Sequence, residues 1–152
     1  MAFEFPDQLR FADSHEYAHV EGELVRIGIS AFAVDQLGDI VFVDLPEVGS
    51  VLDQGVSFGS VESVKAVEEM NSPVSGEVIE INQSVLANPE ELQNDPHGEG
   101  WLLLVKPSDL NQFQELMTAL ESLINFKKIS DFMIAILQME RSNTEQLLLL
   151  TI

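Results

Sequence analysis

Short apolar segments separated by turn-forming residues constrain the fold of this chain more than any other feature. Val25, Ile27 and Ile29 alternate with Arg26, Gly28 and Ser30, a period of two that suits a strand with one buried face. Residues 39–45 (DIVFVDL) form a near-continuous apolar run, expected of a strand buried on both faces, and Pro46 with Glu47-Val48-Gly49-Ser50 reads as a turn. Residues 56–64, 67–74, 77–81 and 101–105 follow as further strand segments, punctuated by Ser72, Pro73, Ser75 and Gly76. Many short strands with frequent turns predict a mainly β, mostly antiparallel sandwich or flattened barrel.

Small helices decorate that frame. Ser30 is placed to cap a helix over Ala31–Leu37, which Gly38 stops. Asn88-Pro89-Glu90-Glu91 combines a cap, a proline at the first helical position and a glutamate three residues on. Ser108 is expected to cap a helix with Leu110, Phe113, Leu116, Met117 and Leu120 on one face.

Composition then divides the chain. Residues 1–120 hold 4 basic and 22 acidic side chains, whereas residues 121–152 hold 3 and 4 and are richer in Leu and Ile. The first stretch is read as one domain and the second as an extension. Leu123, Phe126, Ile129, Phe132, Met133, Ile136 and Leu137 recur at helical spacing, so an amphipathic C-terminal helix is expected, packed on the domain or on a second copy. Residues 144–152 end in LLLLTI, an apolar run of ambiguous type; a non-native terminus is the alternative.

The formal net charge of −19 repels phosphate backbones and anionic lipid, which argues against nucleic-acid and membrane partners and favours basic protein surfaces. There are no cysteines, so disulfides and thiolate chemistry are excluded and any sulfur redox chemistry must come from a bound group. The first residues, MAFEFPDQLRF, lack a basic, apolar export signal, and a cytoplasmic location is expected. Asn82-Gln83-Ser84 matches a glycosylation sequon, but with no export signal it is expected to carry no sugar.

Lys65 is the only lysine before Lys106 and stands between two strand-like segments, in Val61-Glu62-Ser63-Val64-Lys65-Ala66-Val67-Glu68-Glu69. An amine that carries a long acyl arm must project from a tight turn, stay exposed and be readable by a modifying enzyme. A hairpin tip meets all three needs. A protonated amine is no nucleophile, so such acylation calls for an activated donor and a dedicated ligase. Taken alone, a lysine on an acidic hairpin is usually only a solvated charge.

The surrounding pattern is more specific. ESVKAVEEMNSPVSGEVIEIN strongly resembles the lipoylation segment of the glycine cleavage H-protein family, a lipoyl/biotinyl-like fold. The resemblance continues through SHEY (14–17), GELVRIGIS (22–30), LGDIVFVDLPEVG (37–49) and DPHGEGWLL (95–103), in order, from about residue 8 to about residue 119. It implies a carrier rather than an enzyme. Lipoic acid would be attached by an amide to Lys65, within a motif that includes Glu62, Ser63, Val64, Ala66 and, eleven residues on, Gly76. A lipoate ligase or lipoyl transferase would attach it.

The implied partners are three. A pyridoxal-phosphate glycine decarboxylase loads an aminomethyl group on the arm, a folate-dependent aminomethyltransferase removes it, and dihydrolipoyl dehydrogenase reoxidises the dithiol. By position in the motifs, Ser14, Glu16 and Glu69 would line the cleft that shelters the cargo amine. Tyr17 stands where the family often has tryptophan, and Gln36 where some members have a histidine facing the arm. The nearest alternative is a lipoyl carrier for a 2-oxo acid dehydrogenase. A remote one rests on His15-Glu16-Tyr17-Ala18-His19, which matches HExxH; on a helix, such a pattern puts two histidines on one face to bind zinc.

Overall fold

The computed structural model describes Pro6 and residues 8–125. The strands are β1 (Arg10–Phe11), β2 (Glu16–Glu21), β3 (Leu24–Ile29), β4 (Ile40–Asp44), β5 (Val51–Leu52), β6 (Ser57–Ser63), β7 (Val67–Asn71), β8 (Gly76–Ile81), β9 (Leu103–Pro107) and β10 (Met117–Thr118). The helices are α1 (Ala31–Leu37), α2 (Gln83–Ala87), α3 (Glu90–Asn94) and α4 (Asn111–Glu115). The strands form a seven-stranded sheet in the order β10-β1-β2-β3-β9-β8-β5 and a three-stranded sheet, β4-β6-β7. Every pairing is antiparallel. One apolar core joins the two sheets: Ala18, Val25 and Ile27 of the large one meet Val43, Val61 and Met70 of the small one, with Val85 and Leu92 added by the helices. The result is the expected mainly β sandwich with small helices, left unclosed.

Alternation in residues 24–29 becomes β3, with Val25 and Ile27 fully buried. Ser30 caps α1 by accepting from the Ala33 amide at 3.2 Å, and Gly38 ends the helix at φ 78°. That positive φ is the left-handed conformation a residue with a Cβ takes only at a cost.

Other expectations need correction. The run 39–45 is not buried on both faces. β4 lies at the edge of the small sheet, and its register with β6 shifts between Ile40 and Phe42, so both Val41 and Phe42 turn outward. The strand expected at 101–105 begins at Leu103. Asn88 does not cap α3; its N–H closes the preceding α2 on Ser84 O at 2.8 Å. α2 itself went unread. Its cap is the sequon residue Asn82, buried, accepting from the Ser84 amide and donating to Glu99 O and Trp101 O at 2.8 and 2.7 Å.

The single helix expected after Ser108 is interrupted. α4 stops at Glu115, Leu116 is extended, and Met117 and Thr118 pair with Phe11 and Arg10 before residues 119–125 become helical. A distant strand partner outweighs local helix propensity there. Ser108 makes no cap; the Asp109 carboxylate instead accepts from Asn111 N at 2.9 Å. The rest of the expected C-terminal extension, residues 126–152, lies outside the described residues. Among the described residues no helix is long and apolar enough to cross a membrane.

Candidate functional site

The turn between β6 and β7 is built by one side chain. Ser63 N–H donates to Ala66 O at 2.8 Å, and Ser63 Oγ accepts from the amides of Lys65 and Ala66 at 3.3 and 3.2 Å. Val64 and Lys65 do not take the positive φ of the commonest two-residue hairpin turns, so the serine hydroxyl takes up the turn amides instead. Val64 N–H also donates to Asp39 O at 3.0 Å, tying the tip to the start of β4. The hairpin is thus anchored while Lys65 remains exposed.

Gly76 serves the same scaffold at a distance. A Cβ at this position would meet Lys106 O at 2.3 Å, so β8 and β9 approach this closely only with glycine. Of the other motif residues, Glu62 and Val64 point to solvent, and Ala66 sits half-buried under the turn.

Opposite the hairpin, the SHEY segment forms a tight corner. His15 has φ 78°, the one positive φ outside glycine among the described residues. The corner is held by His15 N–H on Ala12 O at 2.9 Å and Ser30 N–H on His15 O at 2.8 Å. The next residue, Glu16, is 2% exposed. One carboxylate oxygen accepts from Ser14 Oγ and the other from the Asn71 amide at 2.8 Å, so Glu16 ties the large sheet to β7. Burial pushes its carboxyl up from the ordinary glutamate value, and these hydrogen bonds oppose the shift. Burial likewise lowers His15, against the pull of the Asp13 charge.

The third wall is α1. Its first amide, Ala31 N–H, donates to His97 Nε2 at 3.1 Å, and His97 stands edge-on to Tyr17 at 5.3 Å. Tyr17 donates to Pro96 O at 2.8 Å, and its ring covers Gly28, where a Cβ would approach it to 2.5 Å. The DPHG segment therefore fixes α1 from behind.

Between these walls lies a groove of about 250 Å³. It brings together Ser14, Glu16 and Glu69 with Lys65, and adds Gln36 from α1. Ile29, Phe32, Leu37 and Met70 make its apolar side. A second cavity, about 390 Å³, shares Ser14 but does not include Lys65. Sequence reasoning missed Phe32 and Glu68 in the groove and, though His15 lies in the SHEY segment, gave it a role only in HExxH. Nothing local marks them, because the fold supplies their neighbours.

The HExxH alternative loses its basis. Glu16–Glu21 is a strand, not a helix; His15 lies in the corner against Phe32 at 5.0 Å, while His19 pairs with Arg26 in the sheet.

The family model for the glycine cleavage H-protein matches residues 9–129. A glycine cleavage system H protein of Prochlorococcus marinus is 75% identical over 119 residues, covering 78% of this chain and 92% of that one. Another, from a Synechococcus species, is 74% identical over 117 residues, covering 77% and 91%. Among solved structures, a glycine cleavage system H protein from Mycobacterium marinum is similar with a TM-score of 0.71 and 39% identity, covering 76% of this chain and 94% of that one.

Proposed function

The chain belongs to the glycine cleavage H-protein family, and from that premise we propose that it is a lipoyl-bearing carrier of glycine cleavage, with the arm on Lys65. In this reading it is not an enzyme. It receives an aminomethyl unit from a pyridoxal-phosphate glycine decarboxylase, yields it to a folate-dependent aminomethyltransferase and is reoxidised through dihydrolipoyl dehydrogenase. The carrier unit spans 1–120, with 121–152 an extension.

The observation that carries the reading is that one exposed amine, Lys65 at an anchored hairpin tip, shares a groove with Ser14, Glu16 and Glu69. The lining fits a lipoyl arm on its own chemistry. Ile29, Phe32, Leu37 and Met70 offer apolar contact to a methylene chain, and two carboxylates with a hydroxyl offer partners to a cationic amine. When attached, lipoic acid supplies the dithiolane sulfurs that accept and release the one-carbon unit. The protein's own residues do the rest. Ser63 holds the turn that presents Nζ, Glu16 holds the corner facing it, and the apolar wall excludes water.

A purified lipoate ligase with lipoate and ATP is expected to add one lipoyl group, seen by intact mass, and Lys65→Arg to abolish the gain. Arginine keeps the charge but offers no acylable amine at ordinary pH. An equal mass gain in the arginine variant would overturn the assignment.

A further inference from the structure

β4 combines two features that are costly unless used. It is rich in large apolar residues, and an irregular register with β6 turns two of them to solvent, leaving Val41 49% and Phe42 54% exposed. Such irregularities re-aim side chains and are frequent beside functional sites. Phe42 pairs with Glu62, and Glu62 with Val67, so one register row crosses all three strands of the small sheet. Val67, 61% exposed, and Val64, 72% exposed, complete the apolar set at the hairpin tip. Glu62 sits among them, and Asp39, Asp44, Glu68 and Glu69 are exposed around them. Across residues 39–69 the sequence has seven carboxylates and no basic residue other than Lys65.

We propose that Val41, Phe42, Val64 and Val67 form a docking surface for the enzyme that acylates Lys65. The four apolar side chains flank one central carboxylate, Glu62, with further carboxylates at the rim, so a partner is offered both apolar anchors and charge to pair. The acidic rim selects a partner whose apolar socket is bordered by arginine and lysine. The occupant follows from where the chemistry takes place. Enzymes that meet the loaded carrier work at the far end of the arm, whereas acylation occurs at Nζ itself, so the acylating enzyme must close over the tip. Val67 is two residues from Lys65, and Phe42 lies about 10 Å further across, two strand spacings away. A standard interface covers roughly 800 Å² on each partner. An enzyme seated on the tip therefore also covers this patch. The inference rests on the carrier reading and deepens it.

The test uses the full-length unlipoylated protein, a purified lipoate ligase, lipoate and ATP, with initial rates taken by intact mass over a range of carrier concentrations. Phe42→Ser and Val67→Ser are each expected to raise KM about tenfold, the loss of one interface anchor, with kcat unchanged. Val51→Ser removes a still more exposed valine from the large sheet and is expected to keep the wild-type KM. Circular dichroism is expected to show one melting curve for all four proteins. Wild-type KM in both hairpin-sheet variants would overturn the docking surface and leave the carrier reading intact. So would a wild-type dimer by sedimentation that becomes monomeric on Phe42→Ser without a change in KM, since the patch would then bind a second copy. No mass gain on the wild type would overturn both readings.

Discussion

Burial of the Glu16 carboxylate costs free energy that Ser14 Oγ and the Asn71 amide offset. Its folded-state pKa lies above the ordinary 4.5, so the folded protein holds this proton at pH values where the unfolded chain has released it. The stability contribution is fully present below 4.5 and is lost as pH rises through the folded value. Glu16→Gln removes this slope. Glutamine fits the site, its Oε1 accepting from Asn71 N–H and its Nε2 donating to Ser14 Oγ. Urea unfolding between pH 4 and 7 is expected to show wild type losing stability relative to the variant as pH rises; a constant difference would refute it. A second prediction concerns cargo. Glu16→Gln with Glu69→Gln removes two charges from the groove, and should shorten the lifetime of the aminomethyl-loaded carrier about tenfold, since a charge-assisted hydrogen bond is worth about 1.5–3 kcal/mol. Mass spectrometry without the transferase measures that lifetime, and lipoylation is expected to stay normal.

Each wall of the groove is an element held by an identifiable contact. Gly76→Ala would drive a methyl into Lys106 O and is expected to destabilise the protein by about 1–3 kcal/mol, the usual range for overpacking, read as a lower Tm. Ser30→Ala removes the α1 cap and is expected to cost about 1 kcal/mol. An unchanged Tm in either would contradict the packing described. These elements differ in how legible they were. β3 and α1 could be read directly, because alternation at 25–29 and the Ser30 and Gly38 caps are local signals. β4 could not, because an apolar run does not reveal the irregular register that exposes Val41 and Phe42. Nor could the break at Leu116, which depends on Arg10 pairing with Thr118. The groove lay between these cases. The SHEY segment named Ser14 and Glu16, and the pattern around Lys65 named Glu69, by family resemblance. Phe32 and His15 come to the same groove only because Glu16, bonded to Asn71 fifty-five residues away, brings the two sheets together there.

At the scale of the whole molecule, the charge of −19 acts over distance. Screening shortens its reach to about 8 Å at physiological ionic strength. The association rate with a glycine decarboxylase is expected to fall about tenfold or more between 50 and 500 mM salt, while an on-rate independent of salt would show that charge does not steer the encounter. The absence of cysteine would leave no internal thiol to compete for the proposed dithiolane, which suits the carrier reading. The central claim is that this arm, on Lys65, takes the one-carbon unit of glycine. The most direct measurement incubates the lipoylated protein with glycine labelled at the methylene carbon and a purified glycine decarboxylase, then follows label on the intact carrier and its Lys65 peptide. One labelled aminomethyl unit is expected per lipoylated wild-type chain, located on the Lys65 peptide, and none on Lys65→Arg treated in the same way. Label on the arginine variant at the wild-type level, or none on the fully lipoylated wild type, would contradict the claim.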